Sequence, residues 1–359
     1  MLRQLGRLTR PVPLAGTGAA ALAVYAEPPA SGPDEISGGS GLALHEAAER
    51  GFEGVACVDD AARAAVLFSR LWQLCRRPSA RQEARAYLRF LLYMQEMDGR
   101  FVNFILDWDG RKNLAGPTSV PGGAPWQARA LHGLAAAAAA FAGEPDGRLY
   151  REGFLRGLPW LDHRIDYLDV RAVGVLALME YGVTPAGHQD GGLARRAIAW
   201  AEEIASHAVG GVLPDAPRRA HDVHLWGHFQ EAALARVGGA FDRPDLVSVA
   251  RLSADLLLVP AVERAFAAPR TIPFEVSAAA DGLAAVAQAT GEVRYATLAA
   301  QARAWFDGRN AAGAPVYDRQ RGLVYDGIDD GRLSQNSGAE SNVEGALALC
   351  DELPWSASG

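Results

Sequence analysis

Cysteine is scarce in this chain: Cys57, Cys75 and Cys350 are its three examples in 359 residues. They are too few and too irregularly spaced for a disulfide framework or a cysteine zinc site, and each sits in an apolar context, as core thiols do. Basic blocks are also missing. The 35 Lys and Arg are scattered among 42 Asp and Glu, giving a formal net charge of −7, so nucleic acid is not an expected partner. No apolar run approaches the eighteen or so residues of a membrane-spanning helix. Charged residues make up only 21% of the chain and hydrophobic ones 49%, which is enough to bury a large core. The N-terminus "MLRQLGRLTRPVPLAGTGAAALAVYAEP" puts basic residues ahead of a mildly apolar run broken by Pro and Gly. That makes a poor secretory signal, so cytoplasmic residence is expected, with the periplasm as the alternative if residues 1–26 act as one.

Strand signals are scarce too, whereas Ala-rich segments with helical periodicity recur, which predicts an all-α chain. Helices are expected near Asp59 to Cys75, Ala80 to Met97, Pro125 to Ala142, Arg148 to Leu161, Asp166 to Tyr181 and Leu193 to His207. Five more follow near Leu225 to Ala240, Pro244 to Leu258, Val276 to Thr290, Val293 to Asn310 and Ala339 to Cys350. They alternate in kind. Segments such as "APWQARALHGLAAAAAAF" and "FEVSAAADGLAAVAQATG" are poor in charge, as in a helix packed on nearly all sides, while "ARQEARAYLRFLLYMQE" carries a clear polar face. Alternating buried and half-exposed helices predict an inner ring inside an outer ring, an (α/α)6 toroid or six-hairpin barrel with long loops at one end. Unequal spacings argue against an open solenoid of fixed period. No low-complexity linker interrupts the chain, so residues 41–359 are expected to form a single toroid domain, with residues 1–40 an extension that is weakly structured or packs on it.

Each presumed inner helix is preceded by a loop or first turn rich in polar residues, and parallel inner helices bring those starts to one end of the ring. Asp59, Asp60, Glu275 and Glu340 are the candidate catalytic carboxyls. The candidate binding residues are Asn103, Trp126, Gln127, Tyr167, Asp169, His224, Trp226, His228, Glu231, Asn336 and Asn342. An acid at a helix start is ordinarily a cap or a first-turn charge worth roughly 0.5–2 kcal/mol. That explains one acid per helix, but not the adjacent Asp59 and Asp60, nor a Glu within "NSGAESN", where Asn336 or Ser337 can cap. The run "HDVHLWGH" holds His221, Asp222, His224 and His228. It has metal-ligand spacing but no HExxH pattern or cysteine partner, so no metal is expected there and no cofactor elsewhere.

The segments "CVDDAARAAVLF", "DGRFVNFILDWDGRKN", "WQARALHGLAAA" and "NSGAESNVEGALAL", in that order through residues 50 to 350, resemble the six-hairpin glycosidase-like superfamily. Within it the chain is most similar to uncharacterised bacterial toroid proteins that accompany glycosyltransferases, and it departs from their pattern at Ala61 and in "GGAPWQARAL". The resemblance implies a carbohydrate-active enzyme acting on an oligosaccharide or polysaccharide, with a glycosyltransferase as a functional partner and a monomeric or small homo-oligomeric state. Sugars are held by carboxylates, amides and aromatic rings, all present in these loops. Glycoside hydrolysis by two carboxyls of split protonation is the leading expectation. A sugar epimerase or lyase using His or Tyr bases is the second, and a non-catalytic glycan-binding companion the third.

Overall fold

A computed structural model describes residues 1–26, 53–163, 165–218 and 223–350. Its helices in chain order are α1 (Leu2–Leu8), α2 (Val58–Cys75), α3 (Pro78–Met94), α4 (Ala124–Ala140), α5 (Pro145–Gly157), α6 (Leu168–Gly182) and α7 (Pro185–Gln189). They continue with α8 (Gly191–Ser206), α9 (Gln230–Ala240), α10 (Pro244–Ser253), α11 (Val259–Glu263), α12 (Pro273–Thr290), α13 (Val293–Arg303) and α14 (Ala339–Leu349). Between α10 and α11 the chain makes one π-helical stretch, Ala254–Leu258. The chain divides into two compact units. The first comprises Met1–Trp160, Val316–Gly327 and Leu333–Gly359, the second Leu161–Pro315 and Ile328–Arg332.

In the first unit α2 packs on both α4 and α14, and these three form the buried row. Their composition explains it: α4 is almost wholly Ala, Leu and Gly, and nearly every residue of it is buried. Side chains this small let neighbouring helices approach closely and leave no polar face for water. α3 covers α2, and α5 covers α4. The outer partner of α14 is α1, from the other end of the sequence, with Leu5 and Leu8 fully buried. Residues 9–22 continue as an antiparallel hairpin of β1 (Thr9–Pro11) and β2 (Ala20–Leu22), in register Thr9 to Leu22. Thus Met1 to Leu22, expected as a loose or packing extension, folds into the first unit.

Ahead of α2, β3 (Ala56–Cys57) pairs antiparallel with β4 (Phe104–Ile105). Gly54 sits so close to this pair that a Cβ there would lie 2.1 Å from the Ile105 carbonyl oxygen. Any side chain at that position would displace the strand that feeds Asp59 and Asp60 into the helix.

The second unit repeats the plan. Here α9 packs between α6 and α12 in the buried row, α8 covers α6, α10 covers α9 and α13 covers α12. Helix starts differ from expectation where backbone geometry intervenes. The helix expected from Leu225 begins at Gln230, because Gly227 takes a left-handed φ of 73° and turns the chain. His224, Trp226 and His228 therefore lie in the loop before α9. In α12 the helix starts earlier than expected, at Pro273, whose ring suits the first helical position. Among the described residues no helix is long and apolar enough to cross a membrane.

Candidate functional site

The predicted residues fall into two clusters, one within each unit. In the first unit Cys57 is the N-cap of α2, its Sγ accepting the Asp60 N–H at 3.5 Å, so Asp59 and Asp60 enter on the first turn. One turn on, Arg63 is 5% exposed and becomes the hub. Its guanidinium reaches Glu340 Oε2 at 2.6 Å, Asp59 Oδ2 at 3.3 Å, Glu344 Oε1 at 3.4 Å and Asp60 Oδ1 at 3.8 Å. Arg129, on α4, adds a second cation 3.5 Å from Asp59 Oδ1. Asp59 and Glu340 keep 31% and 42% of their side chains exposed; Asp60 is buried. Burial pushes the Asp60 carboxyl up to about 7 against the pull of Arg63, with Asp59 and Glu340 adding repulsion. The same burial drives the Cys57 thiol upward.

Several residues expected to bind substrate are instead committed to the fold. Gln127 is fully buried, accepting from the Phe101 N–H and donating to the carbonyls of Gly99 and Gly157. Trp126 is buried with its indole N–H on the Phe101 carbonyl at 2.9 Å. Asn342 exchanges hydrogen bonds with both the N–H and the carbonyl of Val324 and also donates to Ser337 Oγ and the Gly338 carbonyl. Asn103 donates to the Thr118 carbonyl and accepts from the Asp59 N–H, and Asn336 donates to Tyr25 Oη. Loops packed against helix ends carry backbone groups that must be paired, and amide side chains supply donor and acceptor together.

The second unit gathers Tyr167, Asp169, His224, Trp226, His228 and Glu231 around a residue the sequence did not single out, Asp215. His228 is fully buried, with Nδ1 3.0 Å from Asp215 Oδ1 and Nε2 3.1 Å from Glu231 Oε2. Burial opposes charge on this ring, yet Glu231 and Asp215 together outweigh it and raise the imidazole to about 10. His228 is thus an imidazolium between two carboxylates. Glu231 also accepts from Ser253 Oγ, the last residue of α10 before the π-helical stretch.

Next to this buried group lies an accessible one. The His224 ring stacks on Trp226 with centroids 3.6 Å apart and planes 6° from parallel. Trp226 and Tyr167 are about half exposed, at 47% and 48%. His224 donates its backbone N–H to Asp215 Oδ2 at 2.6 Å and turns Nε2 to within 3.6 Å of the same oxygen. On the first turn of α6, Asp169 has its Oδ1 without a hydrogen-bond partner among the described residues. Burial raises its carboxyl above the usual range, as does the charge on Asp215. Glu275, in the first turn of α12, is likewise raised by burial, but no hydrogen bond or ion pair among the described residues ties it to His228 or its carboxylates. His221 and Asp222 lie outside the described residues, and among those described no group of three or more His, Cys, Asp or Glu is disposed to hold a metal ion.

Arg63 and Glu344 were in principle findable: they stand four residues after Asp59 and Glu340, on the same helix faces. Asp215 and Ser253 carry no comparable signal, because only tertiary packing brings them to His228.

No protein-family model and no curated protein matches the chain. Solved structures match in fold. A sugar epimerase from a ruminal bacterium aligns with a TM-score of 0.69 over 98% of this chain and 95% of its own, at 11% identity. Cellobiose 2-epimerase from Bacillus thermoamylovorans aligns at 0.67 over 98% and 96%, with 9% identity. An α-mannanase of glycoside hydrolase family 76 from Bacteroides thetaiotaomicron aligns at 0.58 over 83% and 86%, with 11% identity. At such identities the likeness is one of architecture: the chain has an all-α (α/α)6 toroid fold, as its helix alternation predicts.

Proposed function

We propose that this chain is a carbohydrate-active enzyme that moves a proton at a sugar carbon beside the carbonyl, an epimerase or isomerase, with His224 as the proton-transfer group. The observation that carries this reading is the accessible His224 ring, stacked on half-exposed Trp226 and tied through Asp215 to a buried imidazolium. An imidazole removes a proton as a base and, once protonated, returns it as an acid. The C–H bond breaks, its proton passes to His224 and its electron pair into an enediolate; return of the proton from the same face to the neighbouring carbon gives the isomer, and return to the original carbon after the enediolate has turned its other face to the ring gives the epimer. Trp226 and Tyr167 offer rings to the C–H face of a sugar, and Asp169 stands beside them on the first turn of α6 with its Oδ1 unpartnered among the described residues. Epimerases and an isomerase stand among the fold's neighbours, which supports the reading without deciding it.

Glycoside hydrolysis is the second reading, favoured by the Asp60 carboxyl raised to about 7 beside Glu340, which is ion-paired to Arg63. Against it, the carboxyl raised to about 7 is the buried one, whereas the more exposed Asp59 and Glu340 are both engaged by the Arg63 guanidinium. An acid catalyst must reach the leaving oxygen. Incubation with D-mannose, D-glucose and cellobiose in D2O separates the readings. Proton transfer places deuterium on C2 of an epimer or on C1 of a ketose and gives a new sugar by NMR, while hydrolysis of cellobiose or a mannan releases reducing ends with no carbon-bound deuterium. Reducing ends without exchange would overturn the leading reading.

A further inference from the structure

Asp215 makes contacts that none of the other carboxylates makes. It is 4% exposed, so it does not face a ligand. Its main-chain oxygen accepts from the N–H of Leu168, the first residue of α6, at 2.6 Å. Its Oδ2 accepts from the His224 N–H at 2.6 Å, and its Oδ1 accepts from His228 Nδ1 at 3.0 Å and Gln230 Nε2 at 3.3 Å. One residue therefore joins the loop bearing Tyr167 and Asp169, the loop bearing His224 and Trp226, and the start of α9.

We propose that Asp215 is the positioning residue of this site: through separate oxygens it sets the place of the His224 ring and the protonation of His228, without touching substrate. This rests on the reading of His224 as the proton-transfer group.

The chemistry follows from what a carboxylate is. Both oxygens accept only, so Asp215 fits the His224 N–H at one oxygen and the His228 ring and the Gln230 amide at the other. It is an anion, so it favours the protonated ring of His228. The titratable groups around it are His224 and His228, with Glu231 beyond His228 and Asp169 on α6. Behind them, Ser253 Oγ donates to Glu231 and accepts from the Leu213 N–H at 3.1 Å, which anchors the segment carrying Asp215 to the same network. Asparagine at position 215 keeps the size but has one acceptor and one donor. Whichever way its amide turns, an NH2 group meets an N–H donor.

The full chain labelled with 15N-histidine tests this. Imidazole signals are followed from pH 5 to 11 in the wild type, Asp215→Asn and Asp215→Glu. One wild-type ring is expected to stay doubly protonated past pH 8, and in Asp215→Asn its midpoint is expected to fall by more than one pH unit. Asp215→Glu retains the charge and is expected to restore part of that midpoint. In the deuterium-exchange assay Asp215→Asn is expected to lower kcat at least tenfold with KM within threefold of wild type. Unchanged histidine titrations would overturn the proposal, as would wild-type kcat in Asp215→Asn when His224→Asn is inactive. If instead wild-type protein exchanges no deuterium into any sugar offered, the functional reading fails, while the imidazole titrations still decide whether Asp215 controls the two rings. Should Asp215→Asn not fold, a wild-type His228 that proves neutral at pH 8 overturns the proposal by itself.

Discussion

Replacing His228 with glutamine gives the most direct test of the buried charge in the second unit. The ring is fully buried between Asp215 and Glu231, both nearly inaccessible. In an unfolded chain a histidine titrates near 6.5, whereas here it is raised to about 10. The folded state thus binds a proton that the unfolded state has lost. The stabilisation is complete below pH 6.5, declines as pH rises, and is gone once pH passes about 10. Each pH unit of that interval is worth about 1.4 kcal/mol, so the interval sets a ceiling of about 5 kcal/mol. Removing one partner of a buried ion pair typically costs about 3–5 kcal/mol, of the same order. Urea unfolding followed by circular dichroism at 222 nm, at pH 6 and again at pH 10, measures the effect. The gap between wild type and His228→Gln should be about 3–5 kcal/mol at pH 6 and should shrink by most of that amount at pH 10. An equal gap at both values would mean that His228 carries no charge in the folded protein, and the electrostatic account of the cluster would be wrong.

Arg63→Met should destabilise the first unit by about 3–5 kcal/mol in the same unfolding assay, because Glu344 and Asp60 stay buried after their cation is removed. Asp60 acts with the sign of His228: its folded carboxyl, at about 7, keeps a proton that an unfolded one loses near 3.8, so its contribution declines between pH 4 and 7. Asp60→Asn should flatten that part of the stability curve, and an unchanged slope would show that Asp60 is ionised throughout. Trp126→Ala should cost about 3–5 kcal/mol of stability as a buried ring, whereas Tyr167→Ala should leave the melting temperature within about 2 °C and weaken sugar binding in calorimetric titration. His224→Asn should abolish deuterium exchange and Glu340→Gln should retain it; exchange that persists in His224→Asn would refute the assignment of His224.

The architecture was largely legible from the sequence because its signal is compositional. Helices rich in Ala and poor in charge, such as α4 and α12, can only be stable when covered, and their alternation with α3, α8 and α13 gives the layers away. Only α1 escaped notice among the principal packing helices, since seven residues containing two arginines and a glycine give little periodic signal. Its stability comes from packing on α14 and cannot be read from its own sequence. The early start assigned to α9 has a similar cause: "LWGHFQEAAL" reads as one helix until Gly227 adopts its left-handed conformation.

The candidate site was legible in residue type but not in orientation. Gln127, Asn342 and Glu340 all looked like groups for a sugar, being polar and close to helix starts. The backbone decided between them. Wherever a loop crosses a helix end its N–H and carbonyl groups need partners. An amide can satisfy both at once, so Gln127 and Asn342 are drawn inward, whereas a carboxylate only accepts and is held by a cation instead. Arg63 thereby keeps Asp59 and Glu340 at the surface, and Asp215 does the corresponding work for His224 by accepting its N–H. Among the predicted residues, those that combine access to solvent with reactive chemistry are Asp59, Glu340, Asp169, His224 and Glu275, with Trp226 and Tyr167 as the exposed rings. Of these groups His224 is the imidazole, a side chain able both to take and to return a proton, and it is stacked on an exposed aromatic ring, which is why the proposed proton transfer is placed on it.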